Sequence, residues 1–228
     1  PEAGASTNSA IWARGRRAPL GGRLRLVNGR GGRHWQFLTK YGRGIGQEHM
    51  TQLVTVFGGD GFVGRYVVQA LLKAGCRVRV SSRNPKRGWF LKNQANLGQI
   101  GWMIADVRQP ESVAHAVAGA DAVINLVSVM AGDMDAVNVE GARHVAAAAK
   151  AAGVERLIHV SAIGADPQGD AAYARSKGAA EEAVRAAFPH ADIVRPSIIF
   201  GREDQFINRF AALIRMLPIV PVIAGATK

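Results

Sequence analysis

Tyr173 and Lys177 stand four residues apart in Tyr173-Ala-Arg-Ser-Lys177. On a helix that spacing puts a phenol and an ammonium on one face. An ammonium beside a phenol favours the phenolate and lowers its pKa. Such a pair can exchange a proton with a carbonyl or alcohol while hydride moves to or from a nicotinamide, and the lysine can also hold ribose hydroxyls. Alone, Tyr-x-x-x-Lys is a frequent coincidence. Here it lies about 110 residues after a second suggestive stretch, Val54-Thr-Val-Phe-Gly-Gly-Asp-Gly-Phe-Val-Gly-Arg65.

That stretch joins an apolar run to three glycines spaced three apart, Gly58, Gly61 and Gly64, and then to an amphipathic run. Strand, glycine turn and helix in this order let a backbone approach a pyrophosphate. Gly58 permits the tight turn, Gly61 removes a side chain that would block phosphates, and Gly64 lets helix and strand pack closely. The helix N-terminus adds unpaired N–H groups and a partial positive charge. The competing reading is a turn that needs positive φ angles and nothing more.

About twenty residues further on, an NAD-preferring domain carries Asp or Glu for the ribose 2′-hydroxyl. This chain has Val80-Ser-Ser-Arg-Asn-Pro-Lys-Arg87, without an acid. Arg83, backed by Lys86 and Arg87, suits a 2′-phosphate, because a guanidinium fork matches phosphate oxygens, and Ser82 can add a hydrogen bond. NADP(H) is therefore expected in preference to NAD(H), against the alternative of a solvated basic loop. Asp106 closes the expected third strand at the edge where ligands of such sheets bind. Its carboxylate can accept from an adenine amino group, or it can cap the helix that opens at Pro110-Glu111; both readings stay open.

The elements needed to place these residues alternate regularly. Strands are expected at Leu53–Phe57, Arg77–Ser81, Ile100–Ala105, Ala122–Val127, Arg156–Ser161 and Asp192–Arg195. Helices are expected at Phe62–Ala74, Pro110–Ala118, Val137–Ala152 and Ala172–Ala187, with a further apolar helix at Asp204–Met216. This β-α alternation predicts an α/β fold, a Rossmann-like doubly wound parallel sheet covered on both faces.

Composition excludes several classes. A single cysteine, Cys76, gives no internal disulfide and no cysteine-based zinc site, and the six histidines show no ligand spacing, so no metal site is expected. The net charge of +12 is unevenly placed. Residues 1–49 hold nine basic residues against Glu2 and Glu48, with ten glycines and no sustained period, so they are expected to be a disordered basic extension. The first strand begins directly after Met50, which suggests Met50 as the natural start and the arm as non-native. Residues 50–228 form the second unit, a nucleotide-binding domain that is only mildly basic, and no specific nucleic acid is expected as partner. The stretch 217–224, with two prolines, is too short to span a bilayer and is expected to pack on the domain or on a partner.

The glycine turn, Asp106, Asn138-Val-Glu-Gly141, His159-Val-Ser161, Tyr173-x-x-x-Lys177 and Arg195-Pro-Ser197 together resemble the short-chain dehydrogenase/reductase superfamily in its extended or atypical branch. Thr55–Val68, His159–Asp166, Tyr173–Lys177, Arg195–Gly201 and Gln205–Ala212 are similar in detail to the family of nucleotide-binding accessory subunits of respiratory complex I and their bacterial relatives. The resemblance covers essentially the whole chain after Met50. It implies a domain that holds NADP(H) with Gly58, Asp60, Gly61, Phe62, Val63 and Gly64 at the pyrophosphate and Arg83 at the 2′-phosphate. It implies Asp106 and Val107 at the adenine, Leu126, Val127 and Pro196 along the cleft, and Tyr173 and Lys177 at the nicotinamide ribose and as the catalytic pair. It further implies complex I subunits as partners and a cytoplasmic protein, peripheral on the inner face of the respiratory membrane. Two departures stand out. Active members carry Ser or Thr where this chain has Ile163, and the short stretch between Ile163 and Tyr173 leaves little loop for a substrate pocket. The family pattern also continues past residue 228 with a substrate lobe, so the sequence is expected to be either a fragment or one in which that lobe is largely lost. Both point to a cofactor that is held rather than consumed; the alternative is an active reductase or nucleotide-sugar epimerase using Tyr173 and Lys177.

Overall fold

A computed structural model describes residues 52–204, together with 208, 214 and 215. The basic arm 1–49 and the stretch 217–224 lie outside the described residues. So does most of the helix expected over 204–216, within which Asn208, Ile214 and Arg215 are helical.

Six strands form one sheet: β1 (Leu53–Phe57), β2 (Arg77–Ser82), β3 (Ile100–Ile104), β4 (Ala122–Asn125), β5 (Arg156–Val160) and β6 (Asp192–Val194). Every neighbouring pair is parallel and the order is β3-β2-β1-β4-β5-β6. The order reverses between β1 and β4, which opens a crevice at their carboxyl ends. Val54, Val56 and Phe57 of β1 and Ala122, Val123 and Ile124 of β4 are all buried, as strands covered on both faces require.

Among the described residues, the α-helices that cover the sheet are α1 (Phe62–Lys73), α2 (Pro110–Val117), α3 (Gly141–Ala151) and α4 (Ala172–Ala187). In α1 the buried residues Gly64, Val68, Leu71 and Leu72 follow the helical period. The core on the other face gathers Phe57, Val113, Val117, Val145, Leu157, Val184 and Phe188 from five elements and the loop after α4.

Two local structures differ from the sequence expectation. Residues Pro85–Gln94 form a 3-10 helix, where no regular element was expected. Its buried residues Pro85, Gly88 and Leu91 recur every three positions, the repeat of that helix. A search for periods of two or 3.6 passes over such a pattern. The helix expected from Val137 begins instead with a π-helical turn, Asp135–Glu140, that runs directly into α3. Asn138, buried within that turn, bonds to the 128–129 loop and to α4, so its side chain holds the wider turn in place. Strand ends shift by one or two residues from those expected.

Candidate functional site

The turn after β1 is built from backbone alone. Gly58 has φ +75°, and its N–H donates to the Ser81 carbonyl at 2.8 Å while its carbonyl accepts from Gly61 N at 3.0 Å. A Cβ on Gly64 would lie 2.2 Å from the Gly58 oxygen and 2.6 Å from Gly59 Cα, so α1 rests directly on the turn. A Cβ on Gly61 would meet only the Gly58 oxygen, at 3.2 Å, and otherwise open space. No side chain caps α1 and no acid stands in its first turn. The N–H groups of Phe62, Val63 and Gly64 thus lack intrahelical acceptors beside an open approach. Gly59, which the spacing argument passed over, is equally constrained: a Cβ there would press on Val68, Val80 and Val56 at 3.1–3.3 Å. Asp60 sits beside this turn with its Cβ against Gly88 of the 3-10 helix.

The far wall comes from β4. Leu126 N donates to the Phe57 carbonyl at 3.0 Å and Val127 N to Asn125 Oδ1 at 3.1 Å. Val127 Cγ2 lies 3.4 Å from the place a Gly58 Cβ would take. Leu126 and Val127, both half-buried, therefore face the glycine turn across the crevice. Residues 201–204 close against α1: Gly201 packs near the Phe62 ring, the Tyr66 hydroxyl donates to Glu203, and Arg65 Nη1 lies 3.6 Å from the same carboxylate.

At the end of β2, Arg83 is exposed and the buried Ser82 hydroxyl has no hydrogen-bond partner. Asp106 lies within electrostatic reach of Arg83, but the Arg108 guanidinium grips its carboxylate through Nε and Nη2. This grip, outweighing the cost of burial, holds the Asp106 carboxyl below its ordinary pKa. Asp106 does not cap α2. The N-cap position is Gln109, without a side-chain bond, and the Ser112 hydroxyl bonds the Asp106 backbone instead. Arg108 was not among the expected residues; two positions past an acid on a loop, it carried no periodic signal. Val107 is buried against Gly141, where a Cβ would come within 2.7 Å of Val107 Cγ2.

Lys177 is 1% exposed. Its Nζ donates to the Val160 carbonyl at the end of β5, at 2.9 Å. No hydrogen bond joins it to the Tyr173 hydroxyl, and Tyr173 is half-buried on the same helix. Burial lowers the Lys177 pKa to about 8, with the Glu181 carboxylate opposing the shift. Glu181, one turn further along α4 and 2% exposed, accepts both arms of the Arg195 fork at 2.8 and 2.7 Å. Burial raises its pKa, but Arg195 and the nearby Ser161 hydroxyl outweigh that and keep the carboxyl low. Ser161 Oγ stands near enough to act on Glu181 without completing a well-formed hydrogen bond. His159 faces Asn125 at 3.2 Å; burial first, and then the Lys177 charge, push its pKa down to about 3, and its Nε2 is unpartnered. The neutral imidazole is thus part of the sheet's interior.

Glu181 and Asn138 are the residues here that the motif reading missed as partners. Glu181 lies four residues after Lys177 within a buried stripe that includes Ala180 and Val184, and a carboxylate on such a stripe is the available signal. Ile163, at the position where a hydroxyl was sought, is 69% exposed, and its N–H donates to the Pro196 carbonyl at 2.8 Å. Pro196 is half-buried and so is fixed against the loop after β5.

A family model described as NAD(P)H-binding matches residues 58–205. The mouse protein named NADH dehydrogenase [ubiquinone] 1 alpha subcomplex subunit 9, mitochondrial, is 40% identical over 177 residues, 75% of this chain and 47% of that one. A ceramide reductase of Caulobacter vibrioides is 33% identical over 180 residues, 77% of this chain and 55% of that one. The chain spans about half the length of these curated relatives. A solved Bacillus halodurans structure described as an NAD-dependent epimerase/dehydratase superposes with a TM-score of 0.58 at 26% identity, covering 68% of this chain and 74% of that one.

Proposed function

Because this chain belongs to the NAD(P)H-binding family, we propose that it holds NADP(H) in the β1–β4 crevice as an accessory subunit of a respiratory NADH:ubiquinone oxidoreductase. Gly58, Asp60, Gly61, Phe62, Val63 and Gly64 take the pyrophosphate at the uncapped start of α1. Leu126, Val127 and Pro196 line the cleft, and Asp106 and Val107 flank the adenine. The observation that carries the choice of NADP(H) is the end of β2. It offers the exposed Arg83 and an unpartnered buried Ser82 hydroxyl, and no carboxylate for a ribose 2′-hydroxyl. An arginine and a free hydroxyl donor fit a 2′-phosphate.

A nicotinamide bound in such a site supplies hydride to or from a carbonyl. This chain's own residues favour retention over turnover. Ile163 offers no hydroxyl to polarise a carbonyl, a donor of the kind worth about 3 kcal/mol at a transition state. The Lys177 ammonium donates to the Val160 carbonyl and makes no hydrogen bond to the Tyr173 hydroxyl. The mouse relative, named as a subunit of NADH dehydrogenase, supports the placing of this chain at a respiratory membrane. The position proposed is peripheral, on its inner face; among the described residues no helix is long and apolar enough to cross a membrane.

The purified chain is expected to retain NADPH and leave it unoxidised across a panel of ketones, acyl substrates and nucleotide-sugars, followed at 340 nm. Rapid oxidation would contradict the assignment. It would favour a second reading, a working reductase or nucleotide-sugar epimerase using Tyr173 and Lys177, which rests on that pair sharing α4 and on the reductase named among the relatives.

A further inference from the structure

The 3-10 helix Pro85–Gln94 has features that cofactor binding does not use. Ten residues is long for this conformation, and only one side of it, Pro85, Gly88 and Leu91, is buried. The other sides turn Lys86, Arg87, Trp89, Phe90 and Lys92 outward. Trp89 is 56% exposed with the Lys86 ammonium 5.8 Å over its ring. Phe90, also exposed, has the Arg65 guanidinium at 4.8 Å. Leu97 is fully exposed and Ile104 is 74% exposed. Ile104 shares a face of the edge strand β3 with Trp102, whose indole adjoins Gly88. Met103 points the other way, to the core. Four large apolar side chains are thus exposed around this sheet edge: Trp89 and Phe90 on the two free faces of the helix, Leu97 before β3 and Ile104 at its end. Isolated exposed apolar residues are ordinary, but a group of this size is a docking signal.

Basic residues outnumber acidic ones in this region: Lys86, Arg87 and Lys92 are exposed on the helix itself, against Asp60 beside Gly88 and Glu203 at Arg65. Along the chain, residues 61 to 105 hold eight basic residues and no acidic one. From 106 to 204 it has nine basic and fourteen acidic. The edge therefore suits an anionic partner, and the rest of the domain repels one. Aromatic and aliphatic tips set among lysines and arginines match the boundary between lipid headgroups and acyl chains.

We propose that the face formed by Pro85–Gln94, Leu97 and Ile104 docks this protein on an anionic lipid bilayer. Trp89, Phe90 and Leu97 enter the headgroup–acyl boundary, and Lys86, Arg87 and Lys92 meet lipid phosphates. The proposal rests on this exposed edge and not on the cofactor assignment, so the two can fail separately.

The test is flotation of the full chain with phosphatidylcholine vesicles, with and without about one-third phosphatidylglycerol, at low and physiological salt. Binding is expected to the anionic vesicles and to weaken as salt rises. Trp89→Ser with Leu97→Ser should lower it about tenfold, and Lys92→Glu about thirtyfold. Trp89→Phe should keep it, and all variants should keep their NADPH. Absence of binding to anionic vesicles overturns the proposal. So does equal binding by the variants, since cations elsewhere, such as those of residues 1–49, would then carry the attachment. A parallel, equally large loss of single-stranded oligonucleotide binding in the same variants would also overturn it, in favour of a nucleic-acid surface.

Discussion

Lys177 sits in the interior with its ammonium on a backbone carbonyl, and that setting has a consequence for stability. Its pKa falls from 10.5 unfolded to about 8 folded. Between those values the unfolded chain binds more protons, so unfolding free energy rises with pH across that window. The charged form thus costs stability below pH 8, and the cost fades as the pH approaches 10.5. Urea unfolding across this range should show a gain of roughly 3 kcal/mol that Lys177→Met lacks. Arg83 is the residue on which cofactor choice depends. Arg83→Ala is expected to weaken NADPH about thirtyfold and NADH hardly at all, by titration of the stripped protein. Between Glu181 and Arg195 the exposures differ: the carboxylate is 2% exposed and the guanidinium side chain 49%. Removing Arg195 strands a buried charge, whereas removing Glu181 leaves an arginine that water can solvate. Arg195→Ala should therefore cost about 3 kcal/mol in unfolding and Glu181→Gln distinctly less. Tyr173, Lys177 and Ser82 were visible in sequence because their chemistry depends on short spacings. Arg108 and Glu181 were not, because what matters for them is a neighbour that only the fold supplies.

At the scale of elements, the β1–turn–α1 unit is fixed by backbone contacts that leave no room for side chains. Gly64→Ala would place a methyl 2.2 Å from the Gly58 oxygen. It should destabilise the chain by about 3 kcal/mol and abolish nucleotide retention, measured by denaturant unfolding and by absorbance of the released nucleotide. Most of this unit was legible beforehand, since Leu53–Phe57 and the start of α1 at Phe62 follow from hydrophobic period and glycine spacing; the constraint on Gly59 was not, because it comes from Val56, Val68 and Val80 on three elements. The π turn at Asp135–Glu140 was not. It depends on Asn138 reaching Val129 and Ser176, contacts that no local pattern encodes. The 3-10 helix was hidden for a different reason: its buried positions repeat every three residues, a period shared by neither helix nor strand templates.

At the scale of the molecule, the alternation of strands and helices specified a parallel doubly wound sheet, and the strand order places the glycine turn, Leu126–Val127 and the end of β2 around one crevice. The order itself could not be read from periodicity, which says which face of an element is buried but not which neighbour it pairs with. The same sheet puts the β3 edge two strands from β1, with the Lys177–Glu181–Arg195 group on the β5 side of the crevice, so holding a nucleotide and attaching to a surface can use separate parts of one domain. Retention of NADP(H) in the crevice is tested by native mass spectrometry of the purified chain, with identification of the nucleotide released on denaturation. One NADP(H) per chain is expected; a nucleotide-free chain, or one carrying NAD(H) in its place, would contradict the assignment.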